Sequence, residues 1–79
     1  RCLRNGREIT GEDLPMQVAS RTGRHVHDDE IDVVFEDGEA RTLIISAAPL
    51  FDAGGGVRGA IGTHVDVTAL KRAQRSLQV

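Results

Sequence analysis

The sequence has one cysteine and neither tryptophan nor tyrosine among its 79 residues. A single cysteine, Cys2, cannot form a disulfide within the chain, and no Cys/His cluster has the spacing of a structural zinc site. No apolar run approaches the roughly 20 residues of a membrane span, and no signal peptide is recognisable. The formal net charge of −2 lacks the basic excess of nucleic-acid-binding proteins. We therefore expect a cytoplasmic domain with no direct contact to nucleic acid or membrane.

Residue sets with known catalytic chemistry are also missing. There is no Ser/His/Asp set and no paired-carboxylate pocket at plausible spacing. The glycines at 54–56 do not form a phosphate loop, because they precede a strand pattern instead of a helix. His25 and His27 alternate on a predicted strand, as in some metal sites, but no third ligand is evident. These absences predict that the chain by itself is not an enzyme and binds no metal.

The length allows a single domain. A chain of this size buries only about 60% of its unfolded surface, so its stability is marginal without a partner. The sequence begins at Arg1 with no methionine, and we expect it to be part of a longer protein.

The charges are unevenly distributed. Seven acids and no lysine or arginine lie between Asp28 and Glu39, whereas the last eleven residues contain Lys71, Arg72 and Arg75 and no acid. This distribution predicts two solvated faces. Alternatively, a basic C-terminal helix meets an acidic strand of its own chain or of a second copy.

The first part of the chain shows little regular pattern. Residues 1–12 are polar, contain two glycines and have no sustained period, so we interpret them as an irregular lead-in. A helix of about two turns is predicted next, because Pro15 suits the first helical position and Gly23 supplies a left-handed stop. Asp13 is placed to accept hydrogen bonds from first-turn amides. So short a helix must be stabilised by packing.

Three strands are predicted at residues 25–36, 41–51 and 57–67. The dipeptide Asp37-Gly38 between the first two indicates a type I′ hairpin, and Gly59 and Gly62 indicate a bulge or the close approach of another group. Ile44 and Ala48 fall on one face of the second strand. Alternation assigns the following residues to the opposite, core face, which would also line a ligand pocket: Val33, Phe35, Leu43, Ile45, Ala47, Ile61, Thr63 and Val65.

A final helix is predicted over residues 68–79. Thr68 is placed to cap it, and Asp66 is placed to hydrogen-bond with Thr68 or a nearby donor. Leu70, Ala73 and Leu77 recur at i, i+3 and i+7, which is typical of a coiled-coil seam. The order of a short helix and three-stranded antiparallel meander over 13–67, followed by an outgoing helix, predicts an α+β domain.

From Gly11 to Leu77 the sequence resembles the C-terminal part, or PAC motif, of a PAS domain of the sensor kinase and cyclase type. The resemblance rests on the order and spacing of several short motifs. These are Asp37-Gly38, SAAPLFD at 46–52, a glycine turn, GAIG at 59–62 and Asp66-Val67-Thr68, with Lys71, Ala73 and Leu77 at the spacing of the family's outgoing helix.

The resemblance implies a five-stranded antiparallel sheet with small helices across one face. This chain would supply the last helix and the last three strands, and would lack the N-terminal part. The implied function is that of a sensory module in a signalling protein, such as a bacterial or archaeal sensor histidine kinase of a two-component system. Asp66, Val67 and Thr68 would pass the signal to the outgoing helix. The alternative is an enzyme fragment, or a purely structural dimerisation module with no ligand.

The resemblance also bears on cofactors and partners. Haem-binding members take a histidine from the helix before these strands, and residues 13–23 contain none; flavin photosensors use a cysteine motif and strand amides that are absent here. We predict no cofactor and leave an unidentified small ligand open. The expected partners are an output domain in the same parent chain, which could itself be membrane-anchored, and a second copy bound through Ile44, Ala48, Leu70, Ala73 and Leu77.

Overall fold

The computed structural model describes residues 1–77, which form a five-stranded antiparallel sheet with one helix over each face. The elements in chain order are β1 (Cys2–Arg4), β2 (Arg7–Ile9), a 3-10 turn (Gly11–Asp13), α1 (Pro15–Thr22), β3 (Val26–Val34), β4 (Ala40–Phe51), β5 (Val57–Asp66) and α2 (Thr68–Leu77). The strands lie in the order β2-β1-β3-β4-β5. The predicted α+β class, short helix, meander and final helix are confirmed; the last two residues of the predicted helix lie outside the described residues.

The segment before α1 is a β-hairpin, so the interpretation of residues 1–12 as irregular is wrong. Asn5 and Gly6 have φ angles of 53° and 79°, as the two central residues of a type I′ turn require. Because β1 also pairs with β3, the sheet has five strands instead of three. Arg4 fixes the hairpin by donating to both carboxylate oxygens of Asp29, at 2.9 and 2.5 Å, and to the carbonyl of Asp13 at 3.0 Å.

Helix α1 has the predicted ends but not the predicted cap. Pro15 is its first residue, and Gly23 closes it at φ 69°, with its N–H donating to the carbonyl of Ala19 at 2.9 Å. Asp13 does not cap the helix. It belongs to the preceding 3-10 turn, and its carboxylate accepts from the hydroxyl of Thr10 at 3.3 Å.

The turn between β3 and β4 is not the predicted type I′ turn. Only Gly38 has positive φ, at 87°. Its N–H donates to the carbonyl of Phe35 at 3.0 Å, and the Phe35 N–H donates to the carbonyl of Glu39 at 2.8 Å. This is a three-residue loop that ends in a left-handed glycine. Phe35 therefore lies beyond the end of β3.

The core lies between α1 and one face of the sheet, here called the inner face, which contains Ile31, Leu43, Ile45 and Ala47. Residues paired directly across strands share a face, and Ile31 pairs with Leu43 in this register. Ile31 and Ala47 are 0% and 4% exposed under α1. Gly62 on β5 allows a close approach, as predicted. A Cβ atom there would lie 2.8 Å from Cγ of Met16 on α1.

Three residues of β5 that were predicted for the core lie on the opposite, outer face. Ile61, Thr63 and Val65 pair with Ala48, Ser46 and Ile44, respectively. Ile61 and Val65 are 58% and 61% exposed, and Phe35, also predicted for the core, is 51% exposed.

The cause of this reversal is a bulge at the start of β5. Phe51 pairs with Val57, but the next pair is Leu50 with Gly59, so Arg58 is an extra residue. One extra residue moves every following side chain to the other face of a strand. Without Arg58 as an extra residue, continuing the pairing from Phe51 and Val57 would place Val65 opposite Leu43. Both residues would then lie on the core face, as the sequence pattern predicts.

The described residues contain neither a membrane-spanning helix nor a cluster of potential metal ligands. No helix within residues 1–77 has the length and apolar content needed to cross a membrane. In the same residues, no group of three or more His, Cys, Asp and Glu side chains is arranged to hold a metal ion.

Candidate functional site

The junction between β5 and α2 contains the two buried polar side chains of the described chain, Thr42 and Thr68, each 7% exposed. The Thr42 N–H donates to Oγ1 of Thr68 at 2.9 Å, and the Val67 N–H donates to the carbonyl of Thr42 at 2.9 Å. Both backbone groups of one β4 residue are therefore bonded to the start of α2. Because buried backbone groups need partners, these bonds fix the helix start relative to the sheet.

Two carboxylates extend this contact into a chain of hydrogen bonds. The hydroxyl and the N–H of Thr68 both donate to Oδ1 of Asp66, at 2.5 and 2.9 Å. On the other side, the hydroxyl of Thr42 donates to Oδ1 of Asp32 at 2.7 Å. The chain Asp32–Thr42–Thr68–Asp66, here called the junction network, thus links β3, β4, β5 and α2. The expected bond between Asp66 and Thr68 is part of it.

Asp66 caps α2, a role that the sequence pattern assigned to Thr68. The first helical hydrogen bond runs from the Lys71 N–H to the carbonyl of Val67 at 2.9 Å. The N–H of Thr68, the first residue of α2, has no acceptor within the helix and donates to the Asp66 carboxylate. A negative charge at this end of a helix also interacts favourably with the helix dipole. The hydroxyl of Thr68 is used instead to hold β4.

Charge pairs surround the junction network. Hydrogen bonds from the Thr68 hydroxyl and then its amide, together with the Arg41 guanidinium at 3.3 Å, hold the pKa of Asp66 below its ordinary value. Lys71 on α2 lies 2.9 Å from a carboxylate oxygen of Glu30 on β3. The basic C-terminal helix therefore contacts an acidic strand of its own chain, which was one of the two arrangements considered beside simple solvation.

Acid should destabilise the domain partly through Asp66. Since its pKa is lower in the folded chain than in the unfolded chain, the ionised group stabilises the fold above the ordinary value of 3.8. This contribution is lost as the pH falls through the lower folded value. Asp66→Asn should therefore lower the free energy of unfolding at pH 7 and flatten its decrease between about pH 5 and pH 2, measured by urea denaturation at each pH.

The control for this experiment is Glu8→Gln. Glu8 is an exposed residue of β2, and its replacement should leave stability at pH 7 unchanged. The role of Asp66 would be contradicted if the free energy of unfolding of Asp66→Asn fell as steeply with decreasing pH as that of the unmodified chain.

Helix α2 turns its basic side toward the sheet and its apolar side away. Thr68, Lys71, Arg72 and Arg75 line a cleft against the outer face. At 3.6 residues per turn, the predicted stripe of Leu70, Ala73 and Leu77 lies on the opposite side of the helix. Leu70 and Leu77 are accordingly 57% and 86% exposed. This stripe is not covered by any part of the described chain.

The part of the outer face that β4 and β5 form is a second apolar surface, and α2 leaves it uncovered. Ile44 and Ala48, predicted as partner contacts, are paired there with Val65 and Ile61. Ile61 and Val65, which the sequence pattern predicts for the core, therefore lie exposed beside them.

A groove of about 280 Å³ lies between α1 and the inner face. Of the predicted pocket residues, only Ile45 and Thr63 line it, beside Gly62, His64 and the first three residues of α1 together with Leu14. His25 and His27 stack elsewhere, with ring centroids 5.6 Å apart and planes within 8°.

Sequence reasoning missed Thr42 and Asp32. A threonine following arginine at the start of a strand is typical of an exposed position, and an aspartate within an acidic run is typical of a solvated one. Their role depends on β3 and α2 meeting at β4, which no local pattern specifies. Only the Asp66/Thr68 spacing gave a readable signal.

Comparison with known proteins supports the assignment of the fold. The sequence model of a family described as the PAS fold matches residues 11–72, which are 62 of the 79 residues. The match extends from the 3-10 turn into α2 and includes the whole junction network. The chain gives no match to any of the curated proteins compared with it.

Proposed function

This chain belongs to the PAS-fold family, and we propose that it is a sensory module whose signal leaves through α2. The observation that carries the proposal is the junction network. The backbone N–H and carbonyl of Thr42 are bonded to Thr68 and to Val67 just before it, so a change in the twist or register of β4 would displace the start of the helix.

The proposed input is the groove between α1 and the inner face. A small ligand bound there would contact Ile45 on β4 and Gly62 and His64 on β5, the two strands that border the junction network. Strain in these strands would reach α2 through Thr42 and Asp66. The proposed recipient is an output domain of the same parent chain, such as the kinase of a bacterial or archaeal sensor histidine kinase.

Thr68→Val in the parent protein should abolish or strongly reduce the response of the output activity to its stimulus. Valine keeps the shape of threonine but removes the hydroxyl that joins Thr42 to Asp66. Thr68→Ser keeps this hydroxyl and should respond as the unmodified protein does. The measurement is output activity with and without stimulus, for both variants at equal protein level.

An unchanged response in Thr68→Val would overturn coupling through the junction network. If the protein also self-associates under those conditions, the result would favour the second candidate function, a structural dimerisation module without a ligand. That candidate is supported by the two uncovered apolar surfaces.

We further propose that the chain forms a parallel homodimer with the two α2 helices side by side. The stripe of Leu70, Ala73 and Leu77 spans fewer than two heptads, which is too short for a stable coiled coil by itself. The outer face of the sheet, with Ile44, Ala48, Ile61 and Val65, would supply the remaining contact area.

Leu70→Asp combined with Ile61→Asp should convert the dimer to a folded monomer. Both side chains are more than half exposed in the single chain, so the substitutions act on association and not on the core. Ser76→Asp adds the same charge to α2 outside the stripe and should leave the dimer intact. Light scattering at tens of micromolar measures the mass. If the unmodified protein had the mass of a single chain, the proposed dimer would be wrong.

A further inference from the structure

The cleft between α2 and the outer face has a basic rim and a partly apolar floor, and Thr42 and Thr68 also line it. Arg72 and Arg75 lie along its helical side, while Leu3, Val34 and Ala40 come from three strands of the sheet. Its volume is about 190 Å³. It is separate from the groove under α1, which lies on the opposite face of the sheet.

The charges of this cleft are unbalanced. Lys71 is paired with Glu30, but neither Arg72 nor Arg75 forms an ion pair within residues 1–77. Residues three positions apart on a helix are neighbours, so the two guanidinium groups repel each other. Asp32 is the one acid among the described lining residues, and its carboxylate already accepts from the Thr42 hydroxyl.

We propose that this cleft binds a small amphipathic anion, with its acidic group held by Arg72 and Arg75 and its apolar body against Leu3, Val34 and Ala40. Guanidinium groups suit this role because they bind the two oxygens of a carboxylate or phosphate in a planar, bidentate geometry. The cleft is smaller than the roughly 300–1,000 Å³ of pockets for drug-sized ligands. Its ligand is therefore an acid with a single ring or a short chain.

Binding at this cleft goes beyond the proposed signalling function and does not depend on it. An anion bridging α2 to the sheet would hold the helix in its docked position. Because binding is measured on the 79-residue chain without any output domain, its failure and a failure of signal transfer are separate results.

The test is a titration of the isotopically labelled chain, followed by amide chemical shifts in NMR spectra. The probes are benzoate, phenyl phosphate, the neutral analogue benzamide and inorganic phosphate. We expect saturable shifts at Leu3, Val34 and Ala40 with benzoate or phenyl phosphate. Whichever of benzoate and phenyl phosphate binds more tightly shows whether the cleft prefers a carboxylate or a phosphate. Benzamide and inorganic phosphate should each bind at least tenfold more weakly than that tighter ligand.

Three variants locate the site. Arg72→Gln with Arg75→Gln keeps two good helix formers and should weaken binding at least tenfold. Ala40→Leu leaves the charge unchanged but fills the floor, and should also weaken binding at least tenfold. Arg58→Gln removes one positive charge at the bulge of β5, away from the cleft, and should change the affinity less than twofold.

Several results would overturn the proposal. One is equal binding of benzoate and benzamide, and another is full affinity in the double arginine variant. Shifts confined to residues away from the cleft would also refute it. Inorganic phosphate bound as tightly as the aromatic anions would exclude a role for the apolar floor.

Discussion

Ile31→Ala is expected to lower the free energy of unfolding by about 2–5 kcal/mol, the usual range for truncating a buried isoleucine. Ile31 is 0% exposed and is one of the largest fully buried side chains. It lies on β3, opposite Leu43 on β4 and on the face that α1 covers. Small domains are stable by only about 5–15 kcal/mol in total, so this one change would remove a large share of the stability.

Phe35→Ala provides the contrast. Phe35 is larger than Ile31, but it is 51% exposed beyond the end of β3, so we expect a loss below about 1 kcal/mol. Urea denaturation followed by circular dichroism measures both variants. If Ile31→Ala leaves no folded protein, Ile31→Val should still cost about 0.5–1.5 kcal/mol. If Phe35→Ala lowered the free energy of unfolding more than the Ile31 variants did, the assignment of Ile31 to the core and of Phe35 to the surface would be wrong.

Thr68→Val is expected to lower the free energy of unfolding by about 1–3 kcal/mol, because it leaves a buried donor without an acceptor. The Thr42 N–H donates to the Thr68 hydroxyl, and valine offers no oxygen at that position. Asp66 would lose one of its two hydrogen bonds from Thr68 as well. Thr68→Ser keeps the oxygen and should recover most of the lost stability.

Thr63→Val is the matched control for this effect. It makes the same chemical change on the exposed part of β5 and should alter stability by less than about 0.5 kcal/mol. Hydrogen exchange at the Thr42 amide should also become faster in Thr68→Val. Equal stability of the two valine variants, with unchanged exchange at Thr42, would mean that the hydroxyl of Thr68 does not support the junction.

Local chemistry in the sequence determined the elements that depend on one or two residues. Pro15 and Gly23 set the ends of α1, because proline suits the first helical turn and glycine accepts positive φ. The spacing of Asp66 and Thr68 predicted their hydrogen bond. The β1–β2 hairpin was also encoded locally, since Asn5-Gly6 is the preferred pair for a type I′ turn. Its three-residue strands are too short to show an alternating pattern, which is why that signal was not recognised.

The face of β5, the role of Thr42 and the orientation of α2 were decided only by tertiary structure. Alternation correctly grouped Ile61, Thr63 and Val65, but the bulge at Arg58 set which face of the sheet they occupy. A strand pattern has a period of two and carries no information on register across a turn. Thr42 is buried because β3 and α2 both meet β4 at that residue. The basic side of α2 faces the sheet because Val67 and Thr68 are bonded to Thr42, which fixes the rotation of the helix and directs its apolar stripe outward.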